Sequence, residues 1–256
     1  MDIYNEYGTR DLQRSLLILL KDFHEFAISN NIQYSLAYGS LLGAVRHQGF
    51  IPWDDDVDIC VTRDNFNKLK LALSQQSSFI WKYQDEDSKW TGRISKGYIV
   101  NDLYPPMIDV FIIDNVPNNI IIQKLKLFLV YTCQGLVKTK LSIKKGNLFF
   151  KFCAICTWFI GLFFTQSFKY RLYEKICQIS NNSYSKEYAI YNTIFEYIPK
   201  KFSRSIINNY NLVPFEDTNL YIISGYDEFL KIHYGNYMLP PKVKLGKHIH
   251  PEVGIQ

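Results

Sequence analysis

Asp56 and Asp58 stand two residues apart in the string WDDDVDICV, where Val57, Ile59 and Val61 alternate with Asp56, Asp58 and Cys60. Side chains at i and i+2 of a strand project from one face, so this spacing sets two carboxylates side by side. Asp54 and Asp55 precede them, and so dense a group of acids repels itself unless cations intervene. Oxygen ligands of this kind suit Mg²⁺ or Mn²⁺, and Mg²⁺ commonly completes its shell with waters and substrate phosphates. A third carboxylate from a neighbouring strand would complete the platform. Asp109 is the candidate, the only acid in the Ile/Val/Phe-rich run 107–113, expected to hold metal or to accept a proton. Asp54 and Asp55 fit capping, pairing with Arg46 or solvent exposure.

Upstream, Gly39-Ser40 falls where a predicted strand ends and a helix begins. Such a helix N-terminus offers free N–H groups and a favourable dipole to a phosphate, and glycine lets the backbone come close. Arg46 and His47 fit two roles equally, phosphate contact or closure of the short helix at its C-terminal end. Lys96, after a predicted strand residue, is a further phosphate contact by charge and position alone.

The elements that must position these groups follow from periodicity. Leu12, Leu16, Leu19, Leu20, Phe23, Phe26 and Ala27 recur at helical spacing from a Thr9 cap to about Asn30. Residues 33–38 read as a short strand, Gly39 as a break and 40–47 as a helical turn or two. A strand around Asp56–Asp58 follows, then a helix from Asp64 to about Gln75 capped by Thr62. Residues 79–83 and 92–100 are weaker strands, and 107–113 a stronger one. This predicts an α/β (α+β) core over 1–115, a mixed sheet flanked by helices. Residues 116–210 form a mostly helical, basic and apolar subdomain. The segment 211–256 packs back on the core and carries one more amphipathic helix, with Ser224 and Asp227 spaced like a capping box.

The 256-residue chain has a net charge of +5, unevenly spread: from Asn115 to Tyr173 there is no Asp or Glu, but nine Lys or Arg. Inside that stretch, 152–164 (FCAICTWFIGLFF) is uncharged and apolar, yet shorter than a spanning helix. It reads as a core helix or, equally, as an interfacial helix on an anionic membrane. Five irregularly spaced cysteines argue for a reducing compartment rather than a disulfide framework. With a polar N-terminal segment, the expected location is the cytoplasm, possible contact with the inner face of the cell membrane included. Cys153 and Cys156 are expected to be buried thiols and Trp53 a core residue; His248 and His250 are assigned no role.

The longer string makes the short motifs specific. YGSLLGAVRHQGFIPWDDDVDI (38–59) resembles the LicD family motif, in which G-[TS]-L-L-G-x-x-R-H runs into F-I-P-W-D-D-D-x-D. MIDVFIIDNVP resembles the family's second block, with its strand acid at Asp109, and 215–241 resembles the C-terminal block; 119–210 matches no block. The resemblance implies a nucleotidyltransferase-like fold and transfer of a phospho-alcohol (phosphocholine, ribitol phosphate or glycerol phosphate) from a CDP-linked donor to a cell-surface glycan, with release of CMP. The implied acceptor is a glycan or lipid-linked glycan, and no nucleic acid is expected as a partner. Two other classes compete: a true nucleotidyltransferase that releases pyrophosphate, and a non-catalytic binding protein, whose usual mark, loss of one acid, is not seen.

Overall fold

A computed structural model of the chain describes residues 8–75, 78–83, 92–96, 106–139 and 148–239. It is a mixed α/β protein. In chain order the elements are α1 (Arg10–Ser29), β1 (Ser35–Leu36), α2 (Tyr38–His47), β2 (Val57–Thr62), α3 (Arg63–Gln75), β3 (Ile80–Lys82), β4 (Gly92–Ser95) and β5 (Met107–Asn115). There follow α4 (Ile120–Val137), α5 (Leu148–Gly161), α6 (Gln166–Cys177), β6 (Glu187–Ile190), β7 (Lys201–Ser203), β8 (Tyr210–Phe215), β9 (Thr218–Ile223) and α7 (Tyr226–Tyr234). They divide into two compact units. One takes the described residues up to Trp81, from Arg93 to Ile112 and from Arg204 onward; the other takes Lys82–Gly92 and Ile113–Ser203.

The first unit is built on the sheet path β1-β2-β5-β4-β3. The apolar stripe read in the sequence is the buried face of α1, with Leu16, Leu19, Leu20, Phe23, Phe26 and Ala27 in the core. Burial of each large side chain contributes on the order of 1.5–3 kcal/mol. Val57, Ile59 and Val61 of β2 are buried as the alternation predicts, but Cys60 on the other face is buried too. Its partner across the antiparallel β1–β2 pair is Ser35. Thr9 occupies the position before α1 without capping it, because its hydroxyl donates to the Pro52 carbonyl at 2.6 Å.

The strand expected at 33–38 shrinks to two residues, and α2 starts earlier than the glycine suggested. Tyr38 turns the chain there with φ of +42°, a left-handed conformation that costs a side-chain-bearing residue roughly 1–2 kcal/mol. Edge-on contacts with Phe111 (4.8 Å) and His233 (5.1 Å) hold its ring in place. Gly39 then lies inside the first turn of α2 rather than breaking it.

Strands β8 and β9 form an antiparallel hairpin that sequence reading did not anticipate. Helix α7 is preceded by Gly225, not capped by Ser224, whose hydroxyl contacts the Ile206 carbonyl; Asp227 instead binds Lys231 at 2.6 Å and Tyr237 at 2.8 Å.

The second unit packs α4 and α6 around Val116, Val130, Cys133, Tyr173, Ile176 and Ile198. Asn119 caps α4 by accepting from the Ile121 and Ile122 amides. Helices α4 and α5 meet where side chains are small. A Cβ on Gly135 would lie 2.1 Å from the Thr157 hydroxyl, and one on Gly161 would lie 2.3 Å from the Leu136 carbonyl oxygen. Lys126 is buried, its ammonium donating to the Asn115 and Ile179 carbonyls at 2.8 and 2.9 Å. Residues 113–115 of β5 pair with β6, which pairs with β7, both antiparallel. Cys153 and Cys156 are free and half-buried rather than buried, and in the first unit Trp53 is likewise half-buried. His248 and His250 lie outside the described residues, as do 97–100 of the strand expected to continue beyond β4.

Candidate active site

The acidic string sits on a loop that the first unit fixes from several sides. Gln13, buried in α1, donates through Nε2 to the carbonyls of Ile51 (3.0 Å) and Asp54 (2.9 Å). The Asp54 amide closes a turn onto the Ile51 carbonyl at 2.9 Å. Glu216, at the tip of the β8–β9 hairpin, accepts from the Phe50 amide at 3.1 Å and pairs with Arg10 at 3.0 Å. The four carboxylates therefore start from a backbone tethered to α1 and to the hairpin.

Gly39 has a specific reason to be glycine. A Cβ there would come within 2.8 Å of Asp54 Oδ2, so the missing side chain lets the carboxylate lie against the first turn of α2. The Ser40 hydroxyl accepts from the Asp58 amide at 2.9 Å, and the Ala37 amide donates to the Asp58 carbonyl at 2.9 Å. Both backbone groups of Asp58 are thus engaged by the β1–α2 junction. Ser40 and Gly39, expected to meet phosphate, place two of the acids here.

Asp54, Asp55 and Asp56 bring one oxygen each to within 4.8 Å of one another, close enough to share a cation. Asp58 and Asp109, on the adjacent strands β2 and β5, face the same group. Burial, followed by the charges of Asp56, Asp109 and Asp54, pushes the Asp58 carboxyl well above the usual carboxylate range. Burial, with Asp56 and then Asp55, does the same to Asp54. These groups titrate as a set, not singly. The chemistry of the donors fits a hard divalent cation: several oxygens, crowded, and penalised for their charge while none is bound.

Asp109 is paired with Arg93 of β4, Nε to Oδ1 at 3.0 Å. Sequence reading passed over Arg93; its signal was an arginine inside the weaker strand expected at 92–100, which the structure sets beside β5. Arg46 donates to the Tyr237 carbonyl at 3.0 Å and lies 3.5 Å from His47 Nδ1, so it ties the end of α2 to the segment after α7 and is not paired with Asp54 or Asp55. Burial, then the Arg46 charge, lowers the pKa of His47 below its ordinary value. Lys96 forms an ion pair with Asp22 of α1 at 2.6 Å and lies over the Phe79 ring. The structure therefore gathers Gly39, Ser40, Asp56, Asp58 and Asp109 around one acidic centre and adds Asp54, Asp55 and Arg93. It gives Lys96 an intramolecular partner elsewhere.

Residues 31–128 match the model of the family described as LicD/FKTN/FKRP, nucleotidyltransferase domain. The span contains Asp54, Asp55, Asp56, Asp58 and Asp109. Over 253 residues the chain is 27% identical to the lipopolysaccharide cholinephosphotransferase LicD of Haemophilus influenzae, covering 91% of this chain and 92% of that protein. Uncharacterized proteins of Rickettsia prowazekii and Rickettsia typhi are 51% and 55% identical over 61 residues, 24% of this chain and 23% and 20% of theirs.

Proposed function

We propose that the chain is a phosphotransferase of the LicD type, which moves a phospho-alcohol from a CDP-linked donor to a cell-surface glycan; the match over residues 31–128 and the likeness to LicD over 91% of the chain support this. The observation that carries this reading is the crowding of Asp54, Asp55, Asp56 and Asp58 on a fixed loop against the first turn of α2. So costly an arrangement of charge is expected where a cation and a polyphosphate are to be held. The relative from Haemophilus influenzae is named for transfer of phosphocholine to lipopolysaccharide, which favours phosphocholine among the candidate groups.

In this proposal Asp54, Asp55 and Asp56 hold Mg²⁺ or Mn²⁺, with Asp58 and Asp109 facing it. A bound cation would neutralise the donor's pyrophosphate and its developing charge in the transition state. The positive end of the α2 dipole would favour a phosphate oxygen near its first turn. An acceptor hydroxyl attacks the phosphorus bearing the alcohol; the new O–P bond forms as the bridging P–O bond breaks, and CMP leaves. The hydroxyl proton passes to a carboxylate of the same group, Asp58, which has Asp109 of the adjacent strand as its neighbour. Arg93 holds Asp109 in orientation beside it and acts as a positioning residue. The reaction is assigned to the cytoplasm.

Titration calorimetry with CDP-choline, CDP-ribitol and CDP-glycerol, with and without Mg²⁺, tests the reading. One donor is expected to bind in a Mg²⁺-dependent manner, and Asp56→Ala/Asp58→Ala is expected to abolish that binding. Binding of a nucleoside triphosphate in place of every CDP donor, with pyrophosphate as product, would replace it with nucleotidyl transfer.

A further inference from the structure

The second unit leaves an apolar stripe outside its own core. On α5, Leu148, Phe152, Ile155 and Phe159 follow one another at spacings of four, three and four, the period of a single helix face. That face is open: the four are exposed by 85, 63, 42 and 55%. Just past the helix, Phe163 is 72% exposed, its ring 5.5 Å from that of Phe159. The three phenylalanines alone expose on the order of 300 Å², which with Leu148 and Ile155 reaches the size of the largest apolar patch on an ordinary monomer. An amphipathic helix normally turns such a stripe inward; here it is turned outward.

The charge beside it selects the occupant. Phe164 stacks on Phe168 at 5.3 Å. Phe168, Arg171 and Lys175 then lie at i, i+3 and i+7 on α6, all exposed. Lys151 is half-buried on α5 beside Phe152. The chain has no acid between Asn115 and Tyr173. A protein partner would be expected to meet an apolar face rimmed by charges of both signs, whereas an apolar face with a mainly basic border, the one acid of α6 (Glu174) being half-buried and bonded to Tyr83 and Gln178, matches an anionic bilayer surface. Fourteen residues of α5 span about 21 Å, short of the roughly 30 Å hydrocarbon core, so the helix lies in the interface and does not cross it. Helix α4 is long and apolar enough to cross a membrane. Its Val130, Cys133 and Val137 are core residues and its Lys126 is bonded inside the unit, so one face of it packs in that core, while Ile121, Leu125 and Phe128 on its first half are exposed.

We infer that the α5–α6 face of the second unit is a docking surface for anionic lipid headgroups, with the phenylalanines of α5 and the following turn inserted at the acyl boundary. The inference does not depend on the reaction assigned above. Co-sedimentation of the full chain with vesicles of phosphatidylcholine alone, or with one third phosphatidylglycerol, tests it. Binding is expected to the anionic vesicles, weakened about tenfold by Phe159→Glu/Phe163→Glu and comparably by Arg171→Glu/Lys175→Glu or by raised salt. Circular dichroism checks that the variants fold. A second measurement leaves the face itself intact: with Trp53, Trp81 and Trp90 replaced by phenylalanine, the fluorescence of Trp158 on α5 is expected to be quenched by anionic lipids brominated on their acyl chains. Absence of anionic binding, binding as tight to neutral vesicles, or unquenched fluorescence overturns the inference. So does a stable dimer that Phe159→Glu/Phe163→Glu dissociates, since a second copy would then cover the face.

Discussion

Replacing Asp54 by asparagine should make the metal-free protein more stable and the metal-loaded protein less responsive. Asp54 is half-buried, and its oxygen lies within 4.8 Å of ligand atoms of Asp55 and Asp56. Two ionised groups at that separation repel by about 3.5 kcal/mol in an effective dielectric of 20. Partial protonation relieves some of this, so the expected gain for Asp54→Asn in EDTA is about 1–3 kcal/mol. For a chain of this size that corresponds to a rise in Tm of roughly 2–6 °C. The pH dependence has a definite sign. The folded-state pKa of Asp54 is raised well above 3.8 by burial, Asp56 and Asp55, so the folded form binds the proton more tightly and ionisation destabilises it. The advantage of Asp54→Asn is therefore full above the raised pKa and shrinks as pH falls toward 3.8. Adding Mg²⁺ reverses the order: at a hundredfold excess over Kd the wild type gains about 2.7 kcal/mol, and Asp54→Asn much less. Scanning calorimetry at pH 8 and pH 5, with EDTA or Mg²⁺, reads all four states. Equal Mg²⁺ increments in both proteins, or an Asp54→Asn variant no more stable than wild type in EDTA at pH 8, would refute the reasoning.

Gly39→Ala should weaken Mg²⁺ binding at least tenfold by forcing a Cβ to 2.8 Å from Asp54 Oδ2; in a double-mutant cycle most of its stability cost should vanish on an Asp54→Ala background. Ser40→Ala removes the acceptor of the half-buried Asp58 amide, and should cost about 1 kcal/mol in denaturant unfolding and lower kcat more than it raises donor KM. Lys96→Met should leave donor affinity within about twofold in calorimetry and lower stability by no more than about 1 kcal/mol, because its partner is a partly exposed Asp22. A large loss of donor affinity in Lys96→Met would return that lysine to the phosphate site.

Much of the first unit was legible because its signals are periodic. The α1 stripe, the alternation in β2 and the lone acid of β5 each state which face is buried, and burial is what the fold enforces. Caps were misread for a common reason. Thr9 and Ser224 have the right side chains next to helices, but both hydroxyls contact distant carbonyls, those of Pro52 and Ile206. No local pattern encodes such a choice. The β8–β9 hairpin was hidden by Pro214 within a strand and by a Glu216-Asp217 turn in place of the usual Asn-Gly. A two-stranded sheet is all edge, so the proline is tolerated. Glu216 adopts φ of +53° while Phe50, Arg10 and Gln48, all far away in sequence, bind it. Gly39 misled in the other direction: it is needed for the approach of Asp54 and not for a break in the chain.

The same comparison explains why the acids themselves could be found but not grouped from sequence. Alternation assigns Asp56 and Asp58 to one face, yet the oxygens that come within 4.8 Å belong to three consecutive residues, Asp54, Asp55 and Asp56. Consecutive side chains converge only where the backbone leaves the strand, and here it turns at Ile51–Asp54 before β2 begins at Val57. That turn opposes its own charges, so something outside it must hold it. The bonds from Gln13, Thr9 and Glu216 do so, and they come from residues about 40 positions upstream and more than 160 downstream. It follows that α1 and the hairpin serve the site as much as they serve the core. Removing the Gln13 amide should then loosen the acid loop, releasing some of the repulsion that α1 now contains at the expense of cation affinity.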